Sequence, residues 1–338
     1  MPTGAKLAVT SISDIARLAG VSASTVSRAL SGSTMISVAT RARINDLARE
    51  HGFQLNQMAR NLRLRRTNAI GVVLPLGRAM GQLVSDPFFL TMLGHLADGI
   101  TVRGYDVLIA RIVQDEPDWL EVLASSGRVD GLILIGQSTE QAAIERVATN
   151  YRPMVVWGEY REGQGYCSVG TDNVAGGAMA SRHLLGSGRK RLLFAGDPDI
   201  PEIRARHAGF LAAHREVGIE PHHVLATPLS PEGAYRRLSD YLAANEPPDG
   251  IVAASDVVAA AAIRALGERG LSVPDAVSVV GYDDVPMAAQ LTPRLTTVRQ
   301  DLRRGAEELV DRLFRRLDGD ACDSHILPAE LVVRGSAP

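Results

Sequence analysis

The chain has 338 residues, of which 46% are hydrophobic and 22% are charged, and its formal net charge is −2. This length predicts two to three domains, and the hydrophobic content excludes a wholly disordered chain. The two cysteines, Cys167 and Cys322, are far apart in sequence, which predicts reduced thiols and no cysteine-based metal motif. No stretch approaches the ~18 apolar residues of a membrane span, and the N-terminus lacks a secretory apolar core, so a cytoplasmic protein is expected.

The N-terminal region is basic, whereas the rest of the chain is acidic. Residues 1–67 carry ten Lys/Arg and three Asp/Glu, and the remainder carries 26 positive and 35 negative side chains. This distribution indicates that only the N-terminal region approaches phosphates. The pattern from Ser11 predicts two short helices joined by a turn at Gly20, with Ser11 and Asp14 in a capping box and Ser22 capping the second helix.

The second predicted helix starts with a polar run, as a helix that reads base edges in the major groove requires. Its apolar face consists of Val26, Ala29 and Leu30, which leaves the opposite face for DNA. An ordinary pair of solvated helices is the alternative. A third helix, capped by Ser37 and ended by Gly52, favours a compact three-helix head instead. The candidate DNA contacts of the second helix are Ser22, Ala23, Ser24, Thr25, Ser27 and Arg28.

A strongly basic segment follows the head, with no acidic residue between Glu50 and Asp86. It is too short to be a stable isolated helix, so we expect it to fold on DNA, where a leucine can wedge between base steps of the minor groove. The alternative is a basic linker whose leucines pack on the next domain. The candidate DNA contacts of this segment are Asn56, Ala59, Arg60 and Leu62.

In the first predicted helix of the head, Leu18 is assigned to the apolar face together with Ile12, Ile15 and Ala19.

From Ala69 onward, short apolar runs alternate with stretches of helical periodicity, which predicts doubly wound parallel α/β sheets, two of them at this length. The predicted buried parallel strands of the body are 69–76, 105–112, 130–136, 152–158, 190–197, 249–255 and 276–284.

Polar and aromatic residues follow several of these strands, at the sheet edge where ligands bind in such folds. Carboxylates and a guanidinium suit the vicinal hydroxyls of a sugar, and an aromatic ring can cover its apolar face. The phenylalanines could equally be core, and Asp256 and Asp172 could equally be helix N-caps. The candidate effector contacts are Asp86, Phe88, Phe89, Trp157, Arg206, Ser255, Asp256 and Asp283.

Residues 11–67 resemble the head and hinge of the lactose-repressor (LacI/GalR) family of bacterial transcription factors, through the runs DIARLAGVSASTVSRAL and NQMARNL. The resemblance implies that Ala23, Ser24 and Arg28 read the major groove and that Leu62 is inserted at the operator centre. Leu55 stands where the family usually has proline, which loosens the entry into the hinge. In the body, IVAASDVVAAAAIRAL, VSVVGYDDVPMAAQLTPRLTTVRQD and RARHAGF are similar to the family's effector motifs, and they place Arg206, Ser255, Asp283 and Gln300 at effector contacts.

The resemblance implies an all-α helix-turn-helix head joined to a two-lobed, periplasmic-binding-protein-like α/β effector domain. It implies a flexible N-terminus at 1–10, a head at 11–55, a hinge helix and linker at 56–68, and a body at 69–338. Lobe 1 is expected at about 69–168 and 300–328, and lobe 2 at about 169–299 and 329–338, with crossings near 169, 299 and 328.

The predicted function is a homodimeric repressor of carbohydrate-utilisation genes, released from a pseudo-palindromic double-stranded operator by a sugar such as an α-glucoside. The alternative is a regulator that needs a purine-type corepressor stacked on Phe88 or Phe89. A sugar transport receptor would leave the head unexplained. An enzyme is disfavoured because no nucleophile–base set, HExxH or GxGxxG pattern occurs. No metal or other cofactor is expected, and a dimer is favoured because no heptad-bearing tail follows the body.

Overall fold

The computed structural model describes residues 11–53, 66–74, 82–111, 118–137, 140–221 and 223–338. The chain forms two compact units that divide after Arg66, a small N-terminal head and a large body. In the described residues, no helix is long and apolar enough to cross a bilayer. The predicted hinge contacts Asn56, Ala59, Arg60 and Leu62 lie outside the described residues.

The head consists of three helices, α1 (Ile12–Ala19), α2 (Ala23–Leu30) and α3 (Val38–Glu50). Each begins at a serine whose hydroxyl accepts a hydrogen bond from a backbone N–H of the first turn, which satisfies a donor that the helix itself cannot. At the N-terminus of α1, Ser11 and Asp14 form the predicted capping box. Gly20 ends α1 in the left-handed conformation, with φ +62°, which only glycine adopts without steric cost.

The head core is built from Ile15, Val26 and Ile44, one residue from each helix, and all three are fully buried. The assignment of Leu18 to the apolar face of α1 is wrong, because 49% of Leu18 is exposed. Ala16 is buried in its place. The buried positions 15, 16 and 19 keep the i, i+1, i+4 spacing of one helical stripe, and Leu18 falls outside that stripe.

The body contains two six-stranded sheets with the same order of their first five strands. The strands of the first sheet are β1 (Ala69–Leu74), β2 (Asp106–Arg111), β3 (Gly131–Ile135), β4 (Met154–Trp157), β5 (Cys167–Thr171) and β11 (His325–Leu327). Their order in the sheet is β11-β5-β4-β3-β1-β2, and neighbouring strands are all parallel.

The second sheet has the order β12-β10-β9-β8-β6-β7, and only its edge strand β12 is antiparallel. The strands of the second sheet are β6 (Leu192–Ala195), β7 (His223–Leu225), β8 (Gly250–Ala253), β9 (Ser278–Asp283), β10 (Thr296–Arg299) and β12 (Glu330–Val332). In both sheets the second strand along the chain lies at the edge and the third lies on the other side of the first, which is the doubly wound arrangement predicted from the sequence.

Helices cover the sheets because buried parallel strands need apolar partners on both faces. A short 3-10 helix spans Pro286–Ala289. The body helices are α4 (Pro87–Val102), α5 (Trp119–Ser125), α6 (Gln141–Asn150), α7 (Asn173–Gly186), α8 (Pro201–Val217), α9 (Pro231–Ala244), α10 (Asp256–Gly267) and α11 (Leu302–Leu317).

The chain passes between the two sheets three times in the body. It leaves the first sheet after Thr171, returns after Arg299 to α11, which packs on the first sheet, and crosses again between β11 and β12. We call the first sheet with its helices lobe 1 and the second sheet with its helices lobe 2. These three connections lie where the carboxyl ends of the parallel strands of both sheets meet.

The sequence pattern identified seven strands but misjudged the burial of one of them. Strand β2 consists only of exposed and half-buried residues because it lies at the edge of its sheet, so the expectation of a buried strand is wrong there. Strands β5, β7, β10, β11 and β12 were not predicted. They are short, and their runs mix polar with apolar residues, so periodicity gave no signal for them.

Candidate functional site

The exposed start of α2 is the candidate DNA-reading surface of the head. Ser22 accepts from Thr25 N at 3.1 Å, and its hydroxyl lies 2.8 Å from the hydroxyls of both Ser24 and Thr25. Ala23, Ser24 and Arg28 are exposed, while Thr25 and Ser27 are half-buried. The helix therefore presents hydroxyl groups to solvent at its N-terminal end, which base readout uses, and one guanidinium in its last turn.

Other arginines of the head are engaged in holding the three helices together. Arg43 donates to the carbonyl oxygen of Ala19, and Arg41 donates to that of Gly32 at 3.4 Å. Within the described part of the head, no ion pair involves Arg28. This difference supports the choice of Arg28 as the arginine that is available to a base.

A cavity lies between the two lobes and encloses about 640 Å³ of empty space, part of it open to solvent. Eight of the nine effector candidates from the sequence line this cavity: Asp86, Phe88, Phe89, Trp157, Arg206, Ser255, Asp283 and Gln300. The sequence interpretation did not select the other lining residues, Gln82, Ile135, Gly136, Ile200, Glu202, Ile203 and Leu229.

Asp256 is the effector candidate that the structure separates from the cavity. Its carboxylate is fully buried and accepts from Thr297 Oγ1 at 2.6 Å and from Val285 N at 2.9 Å. Burial, with the nearby Asp283 carboxyl, raises its pKa well above the ordinary value. The alternative role of Asp256 as a helix cap is wrong, because Ser255 caps α10 by accepting from Val258 N. Asp172, by contrast, does cap α7 and accepts from Ala175 N.

Lobe 1 supplies the aromatic part of the cavity wall. Asp86 caps α4 by accepting from Phe88 N at 2.9 Å, and this cap fixes the two phenylalanines that follow. The rings of Phe88 and Phe89 meet edge to face with centroids 5.4 Å apart. The ring of Trp157 packs against Gly305, where a Cβ atom would collide with it. The phenylalanines and Trp157 are therefore ordered by the fold before any ligand binds.

Arg206 is the cation of the lobe 2 wall, and its guanidinium is held from several sides. Its Nε donates to Asn173 Oδ1 at 2.8 Å, and Nη1 donates to the carbonyl oxygen of Ala254. The guanidinium lies over the ring of Tyr282 at 3.7 Å and 3.9 Å from a carboxylate oxygen of Asp283. These contacts fix the direction of the group, which is what recognition of a polar ligand requires.

Asp283 lies at the end of β9 with an unusual backbone conformation. Its φ is +113°, and the φ of the next residue, Asp284, is +56°, a region that non-glycine residues rarely adopt. Such strain persists where the surrounding structure requires it, most often at functional sites. Gln300 Nε2 donates to Asp283 Oδ1 at 2.7 Å. Burial raises the pKa of Asp283 from 3.8 to about 7, opposed by Arg206 and reinforced by Asp86.

Glu202 is a lining residue that the sequence interpretation missed. It lies in the first turn of α8 in lobe 2, and its carboxylate accepts from Gln137 N in lobe 1 at 3.2 Å. Burial raises its pKa above the ordinary value. The signal was present in the sequence, because Glu202 is four residues before Arg206 and this spacing places both on the same helix face.

A second polar contact joins the lobes beside Arg206. Glu159, which follows β4 in lobe 1, accepts from Asn173 Nδ2 at 2.7 Å, and Asn173 in turn accepts from Arg206. Burial raises the pKa of Glu159. Among the residues that the structure describes, no group of His, Cys, Asp and Glu is arranged to hold a metal ion. The site is thus a preformed polar and aromatic cavity at a junction between two lobes.

The fold and the site together define a ligand-binding body attached to a helix-turn-helix head. Family models agree with this division. Residues 11–56 match the model described as bacterial regulatory proteins, lacI family, and residues 181–337 match the periplasmic binding protein-like domain.

Similar proteins extend the match to nearly the whole chain. The transcriptional repressor PurR of Histophilus somni is 28% identical over 337 residues, covering 96% of this chain and 98% of the relative. The lac repressor dimer bound to operator and an anti-inducer has a TM-score of 0.85 at 25% identity, covering 97% of this chain and 99% of that one. The regulator CelR in complex with cellobiose has a TM-score of 0.72 at 28% identity, covering 97% and 100%.

These matches cover the head and the body together, in the same order along the chain. The chain therefore belongs to the LacI family of bacterial regulatory proteins, a class of DNA-binding transcriptional repressors.

Proposed function

We propose that this repressor responds to a sugar, binds a pseudo-palindromic operator as a homodimer, and is released from it when the sugar enters the cavity between the lobes. The observation that carries the proposal is the pairing of Asp283 and Arg206, 3.9 Å apart, opposite the phenylalanines of α4. Carboxylate and guanidinium match the donors and acceptors of vicinal hydroxyls, and an aromatic ring matches the apolar face of a pyranose.

The effector contacts in this proposal are the eight predicted residues that line the cavity together with Glu202. CelR, a similar protein, holds cellobiose in its solved structure, which supports a sugar of this size. A sugar can release DNA only if its affinity differs between the two lobe arrangements. The two hydrogen bonds that join the lobes, Glu202 to Gln137 and Glu159 to Asn173, are contacts that such a rearrangement would change.

On the DNA side, we assign base reading to Ala23, Ser24 and Arg28, with Ser22, Thr25 and Ser27 contacting the backbone. Asn56, Ala59, Arg60 and Leu62 act in the minor groove, with Leu62 as the wedge. The solved lac repressor is a dimer on its operator, and this similarity supports a dimer here. Leu62→Ala then weakens operator binding while the affinity for the sugar stays the same, and an unchanged operator affinity would exclude the wedge.

The experiment is a two-step binding assay. Operator sequences are first selected from a random duplex pool with the full-length protein, and the best duplex is then labelled and titrated by fluorescence anisotropy. Sugars, including cellobiose and α-glucosides, are added to the preformed complex. The proposal is supported if one sugar releases the protein from the duplex at a concentration at which the other sugars do not. A complex that no sugar weakens contradicts it.

A purine-type corepressor is the second candidate. The half-buried ring of Phe88 and the apolar cavity-lining residues Phe89, Ile200 and Leu229 favour it, because a flat base stacks on such surfaces. The same anisotropy assay separates the two functions. A purine that tightens the protein–DNA complex, with no sugar that loosens it, would replace the sugar proposal.

A further inference from the structure

We infer that the cavity selects effectors without an acidic group, that is, uncharged polyols such as free sugars and glycosides, and that Glu202 is the residue that determines this selectivity. The inference rests on the proposed function, since it names the chemical class of ligand for the same cavity. It also applies if the ligand is a nucleoside or base, because it concerns charge alone.

The charges on the described cavity wall are unequal. Asp86, Glu202 and Asp283 contribute carboxyl groups, and Arg206 is the single cation among the described residues that line the cavity. The guanidinium already donates to Asn173 and Ala254 and lies 3.9 Å from the Asp283 carboxylate. When these carboxyl groups are ionised, a phosphate or carboxylate on a ligand would meet more negative than positive charge, at close range and in a poorly solvated site.

A fourth acidic group, Glu159, reinforces this excess from behind the wall. The carboxylate of Glu159 accepts from Asn173, whose other amide atom accepts from Arg206. Arg206 is thus surrounded by Asp283 on the cavity side and by the Glu159–Asn173 pair on the other side. In protein sites that bind phosphate, by contrast, arginine donors are free to form a bidentate pair with the anion.

Glu202 has the position from which a single charge affects the ligand most directly. It lies in the first turn of α8, on the same helix face as Arg206, and reaches across to Gln137 N in lobe 1. The Gln137 side chain is fixed in lobe 1, because its Nε2 donates to the Glu159 carbonyl oxygen at 2.7 Å and to the Tyr166 hydroxyl at 2.8 Å. The carboxylate is therefore held in place at the junction of the lobes.

The same geometry suits a hydroxyl donor. A carboxylate offers about four acceptor positions, and the hydrogen bond from Gln137 N uses one of them. Acceptor capacity therefore remains at Glu202 for a ligand hydroxyl, as it does at Asp283, where Gln300 donates to Oδ1. Burial raises the pKa of Glu202 and of Asp86, which reflects how poorly further negative charge is tolerated at this wall.

The test uses matched ligands that differ by one acidic group. Isothermal titration calorimetry with the full-length protein at pH 8, above the pKa of about 7 of Asp283, compares glucose with glucose 6-phosphate, cellobiose with cellobionic acid, and adenosine with its 5′-monophosphate. In whichever of these pairs the neutral ligand binds, we expect it to bind at least about tenfold more tightly than its acidic partner, a difference of about 1.4 kcal/mol in binding free energy.

The substitution Glu202→Gln removes the charge but keeps an acceptor oxygen for Gln137 N. We expect it to reduce the ratio between the neutral and acidic ligands by about tenfold. The matched control is Glu232→Gln. Glu232 also follows the first proline of a helix, α9, but it is exposed and pairs with Arg264 at 3.4 Å. The control should leave the ratio unchanged.

The outcomes separate this inference from the proposed function. If adenosine binds while its monophosphate and all sugars do not, the result would contradict the sugar proposal and support charge selectivity. An acidic ligand that binds as tightly as its neutral partner, or a panel in which no neutral ligand binds, would overturn the selectivity. A ratio that Glu202→Gln does not change would overturn the role of Glu202.

Discussion

The DNA-reading helix and the effector cavity are built in opposite ways. The reading residues lie within seven consecutive positions, Ser22 to Arg28, and most of them are exposed. The cavity residues come from positions between Gln82 and Gln300, and most of its polar groups are buried and already hydrogen-bonded within the protein. A substitution of an exposed reading residue other than the cap Ser22 should therefore change recognition alone, whereas a substitution in the cavity should change recognition and stability together.

The largest expected effect is that of Arg206→Ala. It removes the guanidinium from Asn173, Ala254 and Asp283 and leaves a buried carboxylate without its cation. Each buried acceptor left without its donor, at Asn173 and Ala254, costs about 1–3 kcal/mol of folding free energy, whereas Asp283 takes up a proton in place of its cation. We expect this loss in urea unfolding of the body, together with loss of the effector response and retention of DNA binding in the anisotropy assay.

The neighbouring Arg204 provides the matched control for that substitution. It is exposed and donates to backbone carbonyl oxygens of Pro198 and Asp199 at 2.9 and 3.1 Å. Arg204→Ala should change stability by less than about 0.5 kcal/mol. An Arg206→Ala protein that the effector still releases from DNA would remove Arg206 from the site.

Arg28→Ala tests the reading helix. We expect a loss of about 1–3 kcal/mol in binding to the preferred duplex and a relaxed preference at one base position. Stability and effector binding should not change, because Arg28 is exposed. The measurement is anisotropy with a set of duplexes that vary at single positions, with Arg49→Ala in α3 as the control. Equal weakening on every duplex would make Arg28 a phosphate contact instead.

The pH dependence of effector binding tests Asp283. Burial raises its pKa to about 7, with Asp86 and Asp256 as neighbouring acids and Arg206 as the opposing cation. Ligand hydroxyls donate to the ionised carboxylate, so the empty cavity must lose a proton in order to bind. We expect the affinity for a neutral sugar to rise about tenfold between pH 6 and 8. An affinity that does not change over this range would show that Asp283 binds without losing a proton.

The same shift has the opposite effect on the stability of the empty body. The unfolded carboxyl ionises near its ordinary pKa of 3.8, whereas the folded one keeps its proton up to about pH 7. The unfolded state therefore binds fewer protons between these values, and the Asp283 contribution to the free energy of unfolding falls as pH rises through this window.

The smallest expected effects are those of the helix caps, which should be the same in both regions. Ser37 caps α3 in the head by accepting from Thr40 N at 3.3 Å, and Asp172 caps α7 in the body by accepting from Ala175 N at 2.8 Å. Replacement of either by alanine should cost about 1 kcal/mol of stability. Thermal unfolding monitored by circular dichroism measures both. A cost above about 2 kcal/mol would show that the side chain does more than cap its helix.

The contrast between the two regions also explains what the sequence could predict. The caps Ser11, Ser22 and Ser37 and the turn at Gly20 depend on neighbours within a few residues, so local chemistry was sufficient for the head. The burial of Leu18 was misjudged because the edge of a helical stripe depends on which neighbours pack against it. Strand β10 was missed because its threonines, Thr296 and Thr297, are covered only when distant segments meet.

In the body, a position after a strand end predicted proximity to the cavity but not the direction of the side chain. Asp256 and Ser255 are adjacent, yet Ser255 lines the cavity while Asp256 turns inward to Thr297. Glu202 was missed because its contact with Gln137 N crosses between lobes, over 65 positions of sequence. Pairings of this kind exist only after both sheets have formed.

The most direct test of the account is the affinity of the effector for the protein with and without DNA. Coupling between two binding sites is reciprocal, so a sugar that weakens operator binding must itself bind more weakly to the operator-bound protein, by the same factor. Titration of the identified sugar against free protein and against protein saturated with operator measures this factor. We predict a weaker affinity on DNA, by about 5- to 150-fold. Equal affinities in the two states would contradict a cavity that controls the DNA-reading head.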